Sequence, residues 1–151
     1  MSGRLANTAQ SDLMKLLFQN TAWANVGNAG GLLGSSVAGS FYVSLHTADP
    51  GAAGSQTTSE AAYTSYARVA VARSTGGWTV SGSSPTSVTN AAAVTFPAAT
   101  GGSETETWFT VGRDSSAAGE ALFQGPLTSS LAVSSGITPS FAIGACTCTM
   151  D

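Results

Sequence analysis

The stretch Ser40-Phe41-Tyr42-Val43-Ser44-Leu45-His46 decides the fold of this chain. Its strongly apolar residues, Phe41, Val43 and Leu45, alternate with Tyr42, Ser44 and His46, so that they share one face of an extended segment. A period of two is typical of a half-buried β-strand. The turn residues Asp49-Pro50-Gly51 follow, and they indicate that the strand ends close to His46.

The same kind of short strand recurs along the rest of the chain. We predict further strands at Tyr66–Arg73, Trp78–Ser81, Val88–Phe96, Thr107–Arg113, Glu120–Gln124, Leu131–Ser134 and Ser140–Thr149. Turn residues such as Gly76-Gly77, Gly101-Gly102 and Gly125-Pro126 separate them. Because no helical crossover lies between these strands, the sequence predicts a mainly β fold. We expect a single-domain antiparallel β-sandwich or jelly-roll-like fold with one short N-terminal helix.

The N-terminal helix is predicted over residues 10–20, where Leu13, Leu16 and Leu17 share one face at helical spacing. We predict one domain overall, in which residues 1–39 hold this helix and a Gly-rich connection and residues 40–151 form the β-sandwich. The apolar helix face must pack on the sheet of its own domain or on a neighbouring subunit.

Small side chains dominate the composition: Ala, Gly, Ser and Thr make up 84 of the 151 residues, and only 9% of residues are charged. The five basic residues are scattered and the net charge is -3, so we expect no nucleic-acid partner. No apolar run approaches the ~20 residues that span a bilayer, and the N-terminus lacks the apolar core of a signal peptide. We therefore expect no membrane partner and a soluble protein made in the cytoplasm.

The residue types that carry catalysis do not form a recognisable site. His46 is the only histidine and Asp49 lies three residues on, but the Gly-x-Ser-x-Gly turn that would present a nucleophile is missing. Glu104 and Glu106 share a strand face and are expected to be solvated, unlike an acid pair held across a cleft. We predict that the protein is not an enzyme and has no catalytic residue, cofactor or metal.

The two cysteines, Cys146 and Cys148, stand two residues apart. On a strand their Cα atoms would lie about 6.6–7 Å apart, at or beyond the usual limit for a disulfide. We predict two free thiols.

The longest segment without a predicted element runs from Ala48 to Thr64. Loops of this length inside a domain are usually functional or ordered by a partner, so we expect a contact arm that has little reason to fold on its own. Charges are rare, and Arg68 either forms a local ion pair or bridges subunits. The residues predicted to contact a partner are Leu13, Leu17, Asp49, Pro50, Gly51, Tyr63, Tyr66 and Arg68.

Two segments carry a family resemblance: Ser-Leu-His-Thr-Ala-Asp-Pro-Gly at residues 44–51 and Tyr-Thr-Ser-Tyr-Ala-Arg at residues 63–68. With them the chain resembles a family of small virion proteins of tailed double-stranded DNA bacteriophages, often labelled tail fibre or structural proteins. Residues 16–23, 90–97 and 119–127 are similar to the same family, and the resemblance runs from near Leu5 to the C-terminus. It implies a virion component without a catalytic motif.

The resemblance and the composition together predict a non-enzymatic virion structural protein. Our first interpretation is a capsid decoration or cement protein, a homotrimer that binds the major capsid protein or other virion proteins on the outer head surface and stabilises capsomer contacts. The alternative is a tail, collar or fibre component that binds another virion protein or a host receptor. Few long charged side chains suit the close packing of many copies, because ordering such side chains costs entropy.

Overall fold

The computed structural model describes residues 5–82 and 85–150, and the protein is mainly β. Within these described residues, one helix and nine strands follow each other: α1 (Asn7–Gln19), β1 (Ser40–His46), β2 (Val69–Ala72), β3 (Trp78–Ser81), β4 (Thr86–Asn90), β5 (Val94–Thr95), β6 (Ser103–Gly112), β7 (Ala121–Ser134), β8 (Ser140–Phe141) and β9 (Thr147–Met150). The strand pairs whose register is resolved are antiparallel, and the arrangement is consistent with a β-sandwich. The predicted fold class is confirmed.

The chain divides into two compact units. Unit 1 comprises Met1–Gly39, Ala72–Ala92 and Ala142–Asp151, and unit 2 comprises Ser40–Val71 and Ala93–Phe141. The predicted organisation as one domain, with a β-sandwich over residues 40–151, stays a prediction.

In unit 1, α1 packs on a three-stranded sheet of order β3-β4-β9. The rings of Phe18 and Trp78 meet edge to face with centroids 4.9 Å apart, and both side chains are fully buried. Met14 and Val88 complete this core, into which Cys146 and Cys148 also bury free thiols. No helix among the described residues is long and apolar enough to cross a membrane.

The buried face of α1 differs from the predicted one. Gln10, Met14 and Phe18 are buried at a spacing of four residues, whereas Leu13 and Leu17 are only half-buried. The predicted leucine face is therefore displaced by one position around the helix. The Phe18 ring contacts Trp78, and α1 packs against β3 and β4. The face that carries Met14 and Phe18 is therefore the one that the sheet covers.

Arg73 supplies the positive charge that the end of α1 lacks. The last turn of the helix contains no basic residue, and its final carbonyls have no partner within the helix. The Arg73 guanidinium donates to the Leu17 carbonyl at 2.6 Å, to the Leu16 carbonyl at 2.9 Å and to the Ala38 carbonyl at 3.1 Å. One side chain thus joins the helix end to the segment before β1.

Unit 2 contains a four-stranded sheet of order β2-β1-β6-β7 and a two-stranded sheet of β5 and β8. Val43 pairs with Val111 and Leu45 with Phe109 across β1 and β6, and all four side chains are buried. Phe141 of β8 contacts the Phe109 ring at a centroid distance of 5.8 Å, which links the two sheets. The predicted alternation from Phe41 to Leu45 therefore builds the core of this unit.

Two segments that were each predicted as one strand form two strands in the structure. One predicted turn, in contrast, lies inside a continuous strand. The segment Val88–Phe96 divides into β4 and β5 because the buried Asn90 amide donates to the carbonyls of Ala92 and Ala142 and holds a turn there. The segment Ser140–Thr149 divides into β8 and β9 at Gly144, whose φ is +78°. In contrast, β7 continues through Gly125-Pro126.

Strand β7 is locally distorted just after Gly125-Pro126. Glu106 pairs with Leu131 and Trp108 with Pro126, so residues 127–130 lie opposite the single residue Thr107. This β-bulge, which we call the β7 excursion, lies at the edge of the four-stranded sheet.

Replacing Arg73 with lysine is expected to lower the free energy of unfolding by roughly 1.5–3 kcal/mol, because one ammonium cannot reach all of the carbonyls that the guanidinium fork serves. Urea denaturation followed by circular dichroism measures the change. The matched control is Arg113→Lys, whose side chain is 63% exposed and should shift stability by less than about 0.5 kcal/mol. Equal losses in the two variants would contradict the capping role of Arg73.

Candidate functional site: the Glu60 and Arg68 cleft

The Asp49-Pro50-Gly51 segment forms a turn directly after β1. The Gly51 N–H donates to Asp49 Oδ1 at 2.8 Å, and Gly51 has a φ of +73°, a conformation that favours glycine. Pro50 is buried, while Asp49 is exposed. This turn forms the start of the loop of residues 48–64.

Gln56 fastens this loop to unit 2. Its backbone N–H donates to the Gly119 carbonyl at 2.8 Å, and its Oε1 accepts from the Asp114 N–H at 3.1 Å. The fully buried carboxamide occupies space that exists only because Gly112 and Gly119 lack a Cβ. The loop that was expected to have little reason to fold is therefore held along its length by its own unit.

His46 sits at the centre of a buried hydroxyl network. Its Nδ1 lies 2.8 Å from the Thr58 carbonyl, which can only accept, so Nδ1 carries the proton and Nε2 is the acceptor. Ser44 Oγ lies 3.0 Å from Nε2 and Thr110 Oγ1 lies 3.2 Å away. Burial lowers the pKa of His46, and all three side chains are fully buried.

The pairing of Ser44 with His46 has the distance of a nucleophile and its base, but no substrate reaches either atom. The orienting partner of the ring is the Thr58 carbonyl, not the carboxylate of Asp49 that the sequence offered. The network therefore holds the loop of residues 48–64 against β1 and β6.

Arg68 and Glu60 form a two-pronged ion pair. Arg68 Nε donates to Glu60 Oε1 at 2.6 Å and Nη2 donates to Oε2 at 2.7 Å. The guanidinium also donates to the carbonyls of Asp114 and Ala117, at 2.9 and 2.8 Å. Its side chain is 3% exposed, and the hydrogen bond to Glu60 raises the pKa of Arg68.

Tyr66 connects this ion pair to the sheet. Its hydroxyl donates to Glu60 Oε1 at 3.0 Å and accepts from the Leu45 N–H of β1 at 3.1 Å. Burial and the nearby Glu60 carboxylate raise the pKa of Tyr66, so the hydroxyl stays protonated. The Tyr66 ring contacts Tyr63 edge to face, with centroids 5.3 Å apart.

A cleft of about 310 Å³ opens beside the ion pair. Its lining residues are Glu60, Ala61, Tyr66, Ala67, Arg68, Ser115, Ser116 and Ala117. The charged groups in the lining are already bonded to each other or to backbone carbonyls, so the cleft presents no unpaired charge to a ligand. Among residues 5–82 and 85–150, no group of three or more His, Cys, Asp and Glu side chains could hold a metal ion.

Glu104 and Glu106 behave differently from the solvated pair that was expected. Glu104 accepts from the N–H groups of Ala62 and Tyr63, at 2.9 and 2.7 Å, and so holds the end of the same loop. Glu106 is fully buried, and no described residue donates to its carboxyl oxygens. Burial, and next the charge of Glu104, raise the pKa of Glu106 to about 8.

The structure brings together some of the residues predicted to contact a partner. Tyr63, Tyr66 and Arg68 lie in one connected cluster of unit 2, where their polar groups bond within the chain. Asp49, Pro50 and Gly51 form the turn after β1, whereas Leu13 and Leu17 belong to α1 in unit 1. Their contact with a partner stays a prediction.

Sequence reasoning missed Gln56 and Glu60, which organise the cleft. Glu60 could have been found, because it is the nearest acidic residue to Arg68 in a chain with few charges. No pattern in the sequence pointed to Gln56. Its role depends on the space beside Gly112 and Gly119, which only the three-dimensional structure shows.

A protein-family model covers nearly the whole chain. The family model described as podophage GP4 fiber I protein gp80 matches residues 4–149, which is nearly the whole chain. No curated protein matches the sequence.

The Gly112→Ala variant is expected to lose roughly 1–3 kcal/mol of unfolding free energy, because the new methyl group overlaps the buried Gln56 carboxamide. Gly76→Ala is the matched control, since a Cβ there would meet only Ser74 Oγ at 3.7 Å. Thermal and urea denaturation measure both variants. Adding Gln56→Ala to Gly112→Ala should cost less than the sum of the two changes, and strict additivity would contradict the proposed overlap.

Glu106 is expected to make stability fall as pH rises. Between its unfolded pKa of 4.5 and its folded pKa of about 8, the unfolded chain loses a proton that the folded chain keeps. Stability should therefore drop by up to about 1.4 kcal/mol per pH unit across this interval and level off above it. The Glu106→Gln variant should lack this dependence. Urea denaturation at pH 5, 7 and 9 tests it, with the 61% exposed Glu120 replaced by Gln as control. Parallel pH profiles for wild type and Glu106→Gln would refute the prediction.

Proposed function

This chain belongs to the podophage GP4 fiber I protein gp80 family, and on that premise we propose that it is a non-enzymatic building block of a phage fibre. It is a structural component of a bacteriophage virion, and the predicted resemblance and location are confirmed. The fibre role was the alternative interpretation of the sequence, and the name of the family supports it.

The burial of His46 carries the non-enzymatic part of the proposal. It is the only histidine, it is fully buried, and both ring nitrogens have partners inside the chain. A general base must reach the proton it removes from a substrate, and this ring does not. The charged groups of the cleft, Arg68 and Glu60, are likewise already paired.

A fibre subunit acts by holding its neighbours, and the partners that we propose are other virion proteins and further copies of the chain. The predicted trimer belongs to this proposal. A capsid decoration protein on the outer head surface is the second candidate. Only 9% of the residues are charged and many are small, and this composition suits any lattice of closely packed copies. In both roles the protein would act by burying surface against neighbouring subunits.

The location of the protein in the virion tests the proposal. Purified virions labelled with gold-conjugated antibodies against this protein are imaged by electron microscopy, with antibodies against the major capsid protein as control. We expect label on fibres and not on the head. Label spread over the head surface would support the decoration role instead, and the absence of the protein from virions would overturn both.

A further inference from the structure

The charged residues of this chain are unevenly divided between the two units. Unit 1 contains Arg4, Asp12, Lys15, Arg73 and Asp151, of which Arg4 and Asp151 lie outside the described residues. The formal charge of unit 1 is thus +1. Unit 2 contains Asp49, Glu60, Arg68, Glu104, Glu106, Arg113, Asp114 and Glu120, which sum to -4. Almost all of the acidity resides in unit 2.

Unit 1 exposes large apolar side chains close together in sequence. Leu32, Leu33 and Val37 are 44%, 74% and 80% exposed, and Ile143 of the same unit is 70% exposed. The sequence contains no Asp, Glu, Lys or Arg from Leu16 to Ala48, so no charge accompanies these residues locally. Single exposed apolar residues are ordinary, whereas three within six residues concentrate exposed apolar side chains in one segment. We call residues 32–37 the apolar segment.

The backbone of the apolar segment is held in place on both sides. Asn20 Nδ2 donates to the Ser35 carbonyl at 2.8 Å, and the Ser35 N–H donates back to Asn20 Oδ1 at 2.7 Å. Leu32 exchanges two backbone hydrogen bonds with Trp23, at 2.8 and 2.9 Å. Gly34 lies so close to the Asn20 carbonyl that any Cβ would clash with it. The exposed side chains are therefore presented from an ordered loop, which lowers the entropy cost of binding.

We infer that the apolar segment is the surface through which a second copy of this chain associates. An uncharged surface gains most from an uncharged partner, because a charged partner would lose the hydration of its ions without compensation. Another copy of the apolar segment supplies such a surface, whereas contact between two copies of unit 2 would oppose like charges. The inference deepens the proposed function and rests on its assembly of several copies.

Sedimentation velocity of the purified full chain over a concentration series tests the inference. The wild type should associate reversibly, and Leu33→Glu and Val37→Glu should each raise the dissociation constant roughly tenfold or more. Ile137→Glu is the matched control, because Ile137 is an exposed apolar residue of unit 2. This variant should associate like the wild type. Thermal unfolding by circular dichroism should stay cooperative in all of them.

Two outcomes would overturn the inference. The first is a wild type that stays monomeric throughout, and the second is undiminished association of Leu33→Glu and Val37→Glu. If the wild type is monomeric but Leu33→Glu is lost from virions, another virion protein occupies the segment, and the inference is also wrong. Association that requires Leu33, in a protein absent from virions, would support the surface and overturn the proposed function, so the two failures are distinguishable.

Discussion

The buried ion pair between Arg68 and Glu60 is the interaction on which the rest of unit 2 depends. A guanidinium removed from water requires nearly every donor to be satisfied, since an unpaired charge inside a protein costs several kcal/mol. Arg68 meets this requirement with one carboxylate and two backbone carbonyls. The carboxylate comes from the loop after β1 and the carbonyls from the turn after β6, so the charge forces two distant segments together. The hydroxyl of Tyr66 then ties the pair to β1.

The core of unit 2 is partly polar because the chain has few large apolar side chains. His46, Gln56, Ser44, Thr110 and Glu106 are all fully buried. Small residues leave gaps that such side chains can fill, as Gly112 does for Gln56. His46, Ser44, Thr110 and Gln56 make directional hydrogen bonds, so they fix their surroundings more strictly than aliphatic side chains would. Hydrogen-bonded polar side chains thus occupy core positions that large apolar side chains fill in other folds.

The sequence predicted the elements better than their details. Alternation from Phe41 to Leu45 predicted β1 and the buried face that carries Phe41, Val43 and Leu45. The same period did not predict that Ser44 and His46, on the opposite face, are also buried. Spacing could not show that α1 would bury Met14 rather than Leu13, since that depends on where Trp78 lies. It also could not show that Asn90 would divide a strand through side-chain bonds to distant carbonyls. At the candidate site, the sequence predicted the turn at Asp49. It did not predict the burial of Glu106, because the spacing of Glu104 and Glu106 shows that they share a strand face but not which residues pack over that face.

The β7 excursion has a consequence for how the edge of the four-stranded sheet meets other chains. An outer strand of a sheet carries unpaired backbone groups, and a long, flat, uncharged one is a template for amyloid-like stacking. Residues 121–134 contain no charged side chain that would discourage such stacking. Pro126, which has no N–H to offer, and the bulge at residues 127–130 interrupt the row of backbone groups instead. We therefore expect the shape of β7, rather than charge, to limit the stacking of further strands on this edge.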